Sequence, residues 1–191
     1  MRQNLQQTKG LVQRVFDKVH KKYDFMNDLM SFGLHRQWKQ EFVNLIEIKN
    51  NYMFLDLASG SGDIIKLILY KFDCNCCAFD SSREMLDQAR KKFMQDEVFF
   101  INGRAEEIPF RDCSFDAITV SFGLRNFSDI ELSLQEIKRV LKKNKKFYCL
   151  EISEINNLIF RGIFNFYSRI IPVYGEILLD NKEAYNYLIE S

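Results

Sequence analysis

Residues 53–63 read MFLDLASGSGD, an apolar run packed around an acid, Asp56, that opens at once into a loop of small residues. The apolar run reads as a buried strand, and the glycines at alternate positions, Gly60 and Gly62, read as a tight turn that starts a helix near Asp63. Glycines at such a turn leave room for a ligand against the backbone, and the N–H groups of the new helix point into the same crevice.

The matching half of the signal is CNCCAFD, residues 74–80, a second short apolar run that finishes at an acid. In a nucleotide-binding α/β unit a carboxylate about 20 residues beyond the glycine turn accepts hydrogen bonds from ribose hydroxyls, and Asp80 stands at that spacing. A dinucleotide fold asks for a third glycine near position 65, where this chain has Ile65. The loop therefore suits S-adenosylmethionine better than NAD.

Outward from this centre, strands and helices alternate. Helical stripes are expected over 8–22 (Leu11, Val12, Val15, Phe16, Val19) and again through Trp38, Phe42, Leu45 and Ile46, with Gly33 breaking the mixed aromatic stretch between them. Residues 1–50 thus form a helical cap, which either closes over a ligand or merely packs on the sheet. A crossover helix follows the glycine loop, and Ser81 and Glu84 read as the capping box of the next. EVFFI (97–101) is the third strand, FDAITV (115–120) the fourth and FYCLEI (147–152) the fifth. Ser128 and Glu131 read as another capping box, ahead of a stripe of Ile130, Leu134, Ile137 and Leu141. KKNKK is expected to turn the chain, and the basic run 138–146 to be a solvated helix end. The pattern predicts a parallel sheet with right-handed crossovers, helices on both faces and ligands at the carboxyl ends of the strands, the core spanning 51–153.

Composition narrows the function. At 191 residues with 47% hydrophobic content the chain reads as a single domain with a substantial core, and a net charge of +1 gives no reason to expect nucleic acid as a partner. The first residues lack the apolar region of a signal peptide, so a cytoplasmic protein with free thiols is expected. Cys74, Cys76 and Cys77 make a CxCC cluster, but strand alternation sends Cys76 and Cys77 to opposite faces and no second ligand pair exists, so no metal site is predicted. The aromatic stretch 154–191 is interrupted by Arg161 and Arg169 and has no run long enough to span a membrane; it either covers an apolar substrate, lies on a bilayer surface or simply packs as core.

Several stretches coincide with one family: YDFMNDLMSFGLHRQWK (23–39), LDLASGSGD (55–63), AEEIPFRDCSFDAITVSFGLRNFSD (105–129), RVLK (139–142), LEIS (150–153) and YSRIIPVYGEILLDNKEAYNYLIES (167–191). Together they resemble the C-methyltransferases of ubiquinone and menaquinone biosynthesis, class I enzymes with a Rossmann-like fold. The resemblance implies methyl transfer from S-adenosylmethionine to a ring carbon of a polyprenylated quinol. Peripheral contact with the inner face of a membrane, and a homodimer or a quinone-biosynthesis complex, go with that reading. Implied cofactor contacts fall on Ser61, Asp80, Arg104, Ala105 and Ser121, with Gly60 and Gly62 lining the loop and Asp56 orienting it; the candidates facing the quinol hydroxyl are Arg125, Asn126 and Tyr23.

Three departures stand out. Ser61 replaces a frequent Thr and keeps its hydroxyl, whereas Arg104 stands where the family usually has Asn or Asp, so an adenine amine loses its acceptor and the guanidinium is left to stack on the base. The sequence given stops at Ser191, before the final antiparallel strands that family members usually add, and the expected sheet is therefore without them. Two alternatives follow: a non-catalytic, shortened remnant, or a class I methyltransferase acting on another substrate. Enzymes that methylate amino groups commonly carry a proline-rich loop after the fourth strand, and SFGLRN has no proline.

Overall fold

The computed structural model describes residues 33–94 and 98–151. Tyr23, the helix expected over 8–22 and the aromatic stretch 154–191 lie outside the described residues. One compact unit, Arg36–Glu151, carries the elements below, apart from the first two residues of α1. In chain order these are α1 (Leu34–Leu45), β1 (Met53–Leu57), α2 (Asp63–Lys71), β2 (Asn75–Asp80), α3 (Arg83–Arg90), β3 (Val98–Asn102), β4 (Phe115–Ser121), a 3-10 turn (Leu124–Asn126), α4 (Ile130–Val140) and β5 (Leu141–Leu150).

The strands form one sheet in the order β3-β2-β1-β4-β5, and every pairing is parallel. Parallel neighbours need crossovers, which the intervening helices supply, and the result is the expected Rossmann-like α/β architecture. Alternation along the strands divides the core. Phe54, Cys76, Ala78, Val98 and Ala117 face α1, α2 and α3 through Phe42, Val43, Ile64, Ile65, Ile68 and Leu86. Leu55, Leu57, Cys77, Phe79, Ile118 and Val120 face α4 through Ile137 and Val140. Cys76 and Cys77 thus fall on opposite faces, as strand alternation predicts. The chain leaves β1 toward β2 and β3 and returns to β4 on the other side of β1, so the sheet has its switch point between β1 and β4.

Several local expectations need correction. The caps sit one residue later than predicted: Ser82, not Ser81, accepts from the Met85 N–H, and Asp129, not Ser128, accepts from the Leu132 N–H. In each case a carboxylate outside the local capping motif takes the backbone N–H groups of the turn. Asp80 takes the Ser82 N–H at 2.8 Å, and Glu106 takes the N–H groups of Ser128 and Asp129 at 2.5 and 3.0 Å.

The buried face of α4 is Ser133, Ile137 and Val140, while Ile130 and Leu134 are exposed. Ser133 tolerates burial because its hydroxyl donates to the Asp129 carbonyl at 2.7 Å. In α1, Phe42 and Val43 are buried whereas Leu45 points outward.

KKNKK is neither a turn nor a helix end. β5 starts at Leu141, directly after α4, and Phe115↔Leu141 and Ala117↔Lys146 are its first register partners, so residues 142–145 bulge opposite Asp116. Asn144 takes the left-handed conformation there (φ 60°), which asparagine tolerates. The lysines find carboxylates: Lys142 binds Asp116 at 2.7 Å, Lys145 lies 3.5 Å from Asp116 and over the Tyr52 ring, and Lys146 pairs with Glu47.

Candidate active site

The loop after β1 is built by backbone geometry. Ala58, Gly60 and Gly62 all take positive φ (51°, 53° and 81°), and Gly62 sits at the N-cap of α2. The Gly62 N–H donates to the Ser59 carbonyl at 2.9 Å, closing the turn. The two glycines have different reasons. A Cβ at Gly60 would meet only the end of Met85, at 3.4 Å, so this position has open room beside the crevice. A Cβ at Gly62 would come within 2.9 Å of the Phe93 ring and 3.4 Å of Ala89 Cβ, so its space is taken by the helix behind it.

Asp80 ties this loop to β2. One carboxylate oxygen accepts from the Gly60 N–H at 2.8 Å and the other from the Ser82 N–H at 2.8 Å. A carboxylate has acceptor capacity beyond one donor per oxygen, so the expected ribose contact remains chemically open. Burial pushes the Asp80 carboxyl upward against these backbone donors. Ser61 donates to Asp63 at 3.2 Å. Burial would raise the Asp63 carboxyl, but Lys39 at 2.8 Å and Lys92 at 3.1 Å outweigh it and hold it well below the usual carboxylate range.

Asp56 lies on β1 opposite Thr119 of β4, almost fully buried, and Thr119 Oγ1 donates to its Oδ1 at 2.6 Å. Burial raises its carboxyl to about 7, against the Thr119 bond and the Lys39 charge and with help from Asp80 and Asp63. Nearby Cys77 is pushed up to about 12, by burial first and the Asp56 charge second, so its thiol stays protonated and inert.

Three buried oxygens here have no partner among the described residues: Asp56 Oδ2, Ser59 Oγ and Ser121 Oγ. They belong to the carboxyl-terminal ends of β1 and β4 and the loop after β1, at the switch point. Buried polar atoms rarely stay unpaired unless a ligand or water completes them. Their chemistry fits a polar, cationic nucleoside such as S-adenosylmethionine, which brings donors to hydroxyl and carboxylate oxygens and a positive charge to a buried acid.

The remaining candidates separate. Ala105 is buried after β3, but the Arg104 side chain is 64% exposed and its Nε donates to Glu106 at 3.4 Å. Glu106 in turn caps the start of α4, so the loops after β3 and β4 are joined. Phe122 also has positive φ (55°), and at Gly123 a Cβ would fall 2.5 Å from Ala58 Cβ, so the loops after β1 and β4 touch. Arg125 and Asn126 lie on the 3-10 turn that follows.

Sequence reasoning passed over Ser59, Thr119, Lys39 and Glu151. For Glu151 a signal existed, since it is an acid at the carboxyl end of a strand, as Asp56 and Asp80 are. Among the described residues no group of His, Cys, Asp and Glu side chains could hold a metal ion, and no helix is long and apolar enough to cross a membrane.

The chain matches the ubiE/COQ5 methyltransferase family over residues 2–191. It is 46% identical over 192 aligned positions to the ubiquinone/menaquinone biosynthesis C-methyltransferase UbiE of Rickettsia akari, covering 95% of this chain and 77% of that protein. The UbiE of Rickettsia felis is 47% identical with the same coverage. Among solved structures, a putative S-adenosyl-L-methionine-dependent methyltransferase from Methanococcus maripaludis superposes with a TM-score of 0.64 at 22% identity, over 86% of this chain and 76% of that one. The [4+2]-cyclase SpnF superposes at 0.65 with 17% identity, over 77% and 62%. These two share the fold, and the second shows that the fold alone does not fix the reaction.

Proposed function

The chain belongs to the ubiE/COQ5 methyltransferase family, and from that premise we propose that it methylates a ring carbon of a polyprenylated quinol, as S-adenosylmethionine-dependent C-methyltransferases of ubiquinone and menaquinone biosynthesis do. The observation that carries the reading is the trio of unpartnered buried oxygens on Asp56, Ser59 and Ser121 around the open side of Gly60.

Residues 58–62, Asp80, Ala105 and Ser121 would hold the cofactor, with Asp80 bracing the glycine loop through the Gly60 N–H while keeping acceptor capacity for a ribose. When bound, S-adenosylmethionine supplies an electrophilic methyl group: the S–CH3 bond breaks, a C–C bond forms at the ring, and S-adenosylhomocysteine leaves. The protein has to align the ring carbon, exclude water and stabilise charge on the neighbouring oxygen. Arg125 suits the last task as a permanent cation, and Asn126 is its neighbour toward the same hydroxyl. The displaced ring proton goes to water, because a guanidinium is no base. Tyr23 remains a candidate on the substrate side.

Identity across 95% of the chain weighs against the remnant reading. A lipid acceptor is reached, on this reading, by peripheral contact with a bilayer. Calorimetric titration with S-adenosylmethionine tests the first step. Micromolar binding that is lost in Asp80→Ala, followed by label transfer from the methyl group to a short-chain prenylated quinol, is the expected result. A folded chain that does not bind would overturn the proposal.

A further inference from the structure

Beyond the glycine loop, the carboxyl edge of the sheet carries a second built arrangement, between the ends of β4 and β5. Ser121↔Leu150 is the last register pair of these strands, and the Phe122 N–H donates to the Leu150 carbonyl at 2.7 Å. Glu151 is therefore fixed one residue past a hydrogen-bonded register. Its carboxylate grips Arg125 at both ends: Oε1 takes Nη1 at 2.6 Å, and Oε2 takes the backbone N–H at 3.4 Å. The pair is largely shielded, with side-chain exposures of 26% for Arg125 and 21% for Glu151.

One donor of the same guanidinium is left over in a buried position. Arg125 Nε is buried and has no partner among the described residues. An arginine on a three-residue turn would ordinarily sample many rotamers, and an exposed ion pair would hold it weakly. Gripping both the main chain and the guanidinium removes that freedom and fixes where the unpaired N–H lies. A buried donor without an acceptor is costly unless an incoming oxygen completes it.

We infer that Glu151 is a positioning residue: it holds the Arg125 guanidinium so that the unpaired Nε–H meets the quinol oxygen on which charge develops during methyl transfer. The inference rests on the quinol-methylation reading and assigns the acceptor-side contact to one atom. A donor aimed in advance at developing charge needs no reorganisation during the reaction, so its effect falls on kcat rather than on cofactor binding. Glu151 itself touches no reacting atom.

The test uses the full chain, methyl-labelled S-adenosylmethionine and a short-chain prenylated quinol. Glu151→Gln keeps the length and one acceptor but removes the charge, and is expected to lower kcat at least about tenfold while the S-adenosylmethionine affinity stays within about twofold. Arg125→Ala is expected to be rescued in part by millimolar guanidinium chloride, and the rescue to vanish in Arg125→Ala/Glu151→Gln, because only the carboxylate seats the added cation. A purely structural Glu151 would not separate these two variants. If Glu151→Gln fails to bind cofactor or to unfold cooperatively, Glu151→Asp takes its place, with the charge kept one methylene short and the same fall in kcat expected. Wild-type kcat in a folded Glu151 variant, or equal rescue in the single and double variants, overturns the inference. A wild type that binds cofactor but methylates no quinol overturns the functional reading, and this inference with it.

Discussion

Replacing Asp56 by asparagine should change how the stability of the ligand-free protein depends on pH. Asp56 is 1% exposed, and burial raises its carboxyl to about 7 in the folded chain, against about 3.9 for an unfolded aspartate. Between those values the folded state holds a proton that the unfolded state has lost. The folded protein then binds more protons, so stability falls as pH rises through this window and levels off above about 7. From pH 5 to pH 8 this one group removes roughly 3 kcal/mol.

The substituted amide cannot ionise. It keeps the acceptor for Thr119 Oγ1 and places an NH2 group where Oδ2 had no partner, which adds only a pH-independent offset. Asp80, also raised by burial, contributes a slope to both proteins that cancels in the comparison apart from its coupling to the Asp56 charge. Urea denaturation of both proteins at pH 5, 6.5 and 8 is the assay. The stability of Asp56→Asn relative to wild type should climb by roughly 3 kcal/mol across the series. A difference that stays constant within about 0.5 kcal/mol would refute a neutral, buried Asp56. Asp63 acts in the opposite sense at lower pH: with its carboxyl held down by Lys39 and Lys92, its stabilisation is lost as the pH falls below the ordinary carboxylate range.

Two further substitutions test the loops that frame the crevice. Gly123→Ala should destabilise by about 1–3 kcal/mol and weaken S-adenosylmethionine binding, because the new Cβ falls 2.5 Å from Ala58 Cβ; Ala58→Gly, which removes both that atom and a side chain at positive φ, should restore binding in the double variant, as titration calorimetry would register. Arg139→Met should cost about 3 kcal/mol in urea denaturation, since Arg139 donates to the carbonyls of Ile108 and Phe110 and to Glu136 and Asp112, pinning the β3–β4 loop to α4; a loss below about 1 kcal/mol would show that the loop holds itself.

The sheet was legible because its strands are short apolar runs, β1 and β2 each with an acid at the carboxyl end, and β1, β2 and β4 lie within a residue or so of where the pattern puts them. What the pattern missed depends on partners outside the local motif. Ser82 and Asp129 become caps because Asp80 and Glu106 take the neighbouring N–H groups, while Ser81-x-x-Glu84 matches the local rule just as well. KKNKK reads as a turn until Asp116, Glu47 and Tyr52 come alongside it. The site divides in the same way. Asp56, Gly60, Asp80 and Ser121 follow from motif position, but the unpaired state of Ser59 Oγ and Arg125 Nε is a property of three dimensions that no spacing encodes.

The direct passage from α4 into β5 has a consequence for how this sheet tolerates change over evolutionary time. With no linker after Val140, an inserted or deleted residue in that stretch has one place to go, the bulge at 142–145 opposite Asp116. The bulge sits at the amino end of the strand pair, whereas Ser121↔Leu150 and Glu151 sit at the other end. It works as an expansion joint: length drifts at one rim of the sheet while the chemistry at the opposite rim keeps its alignment.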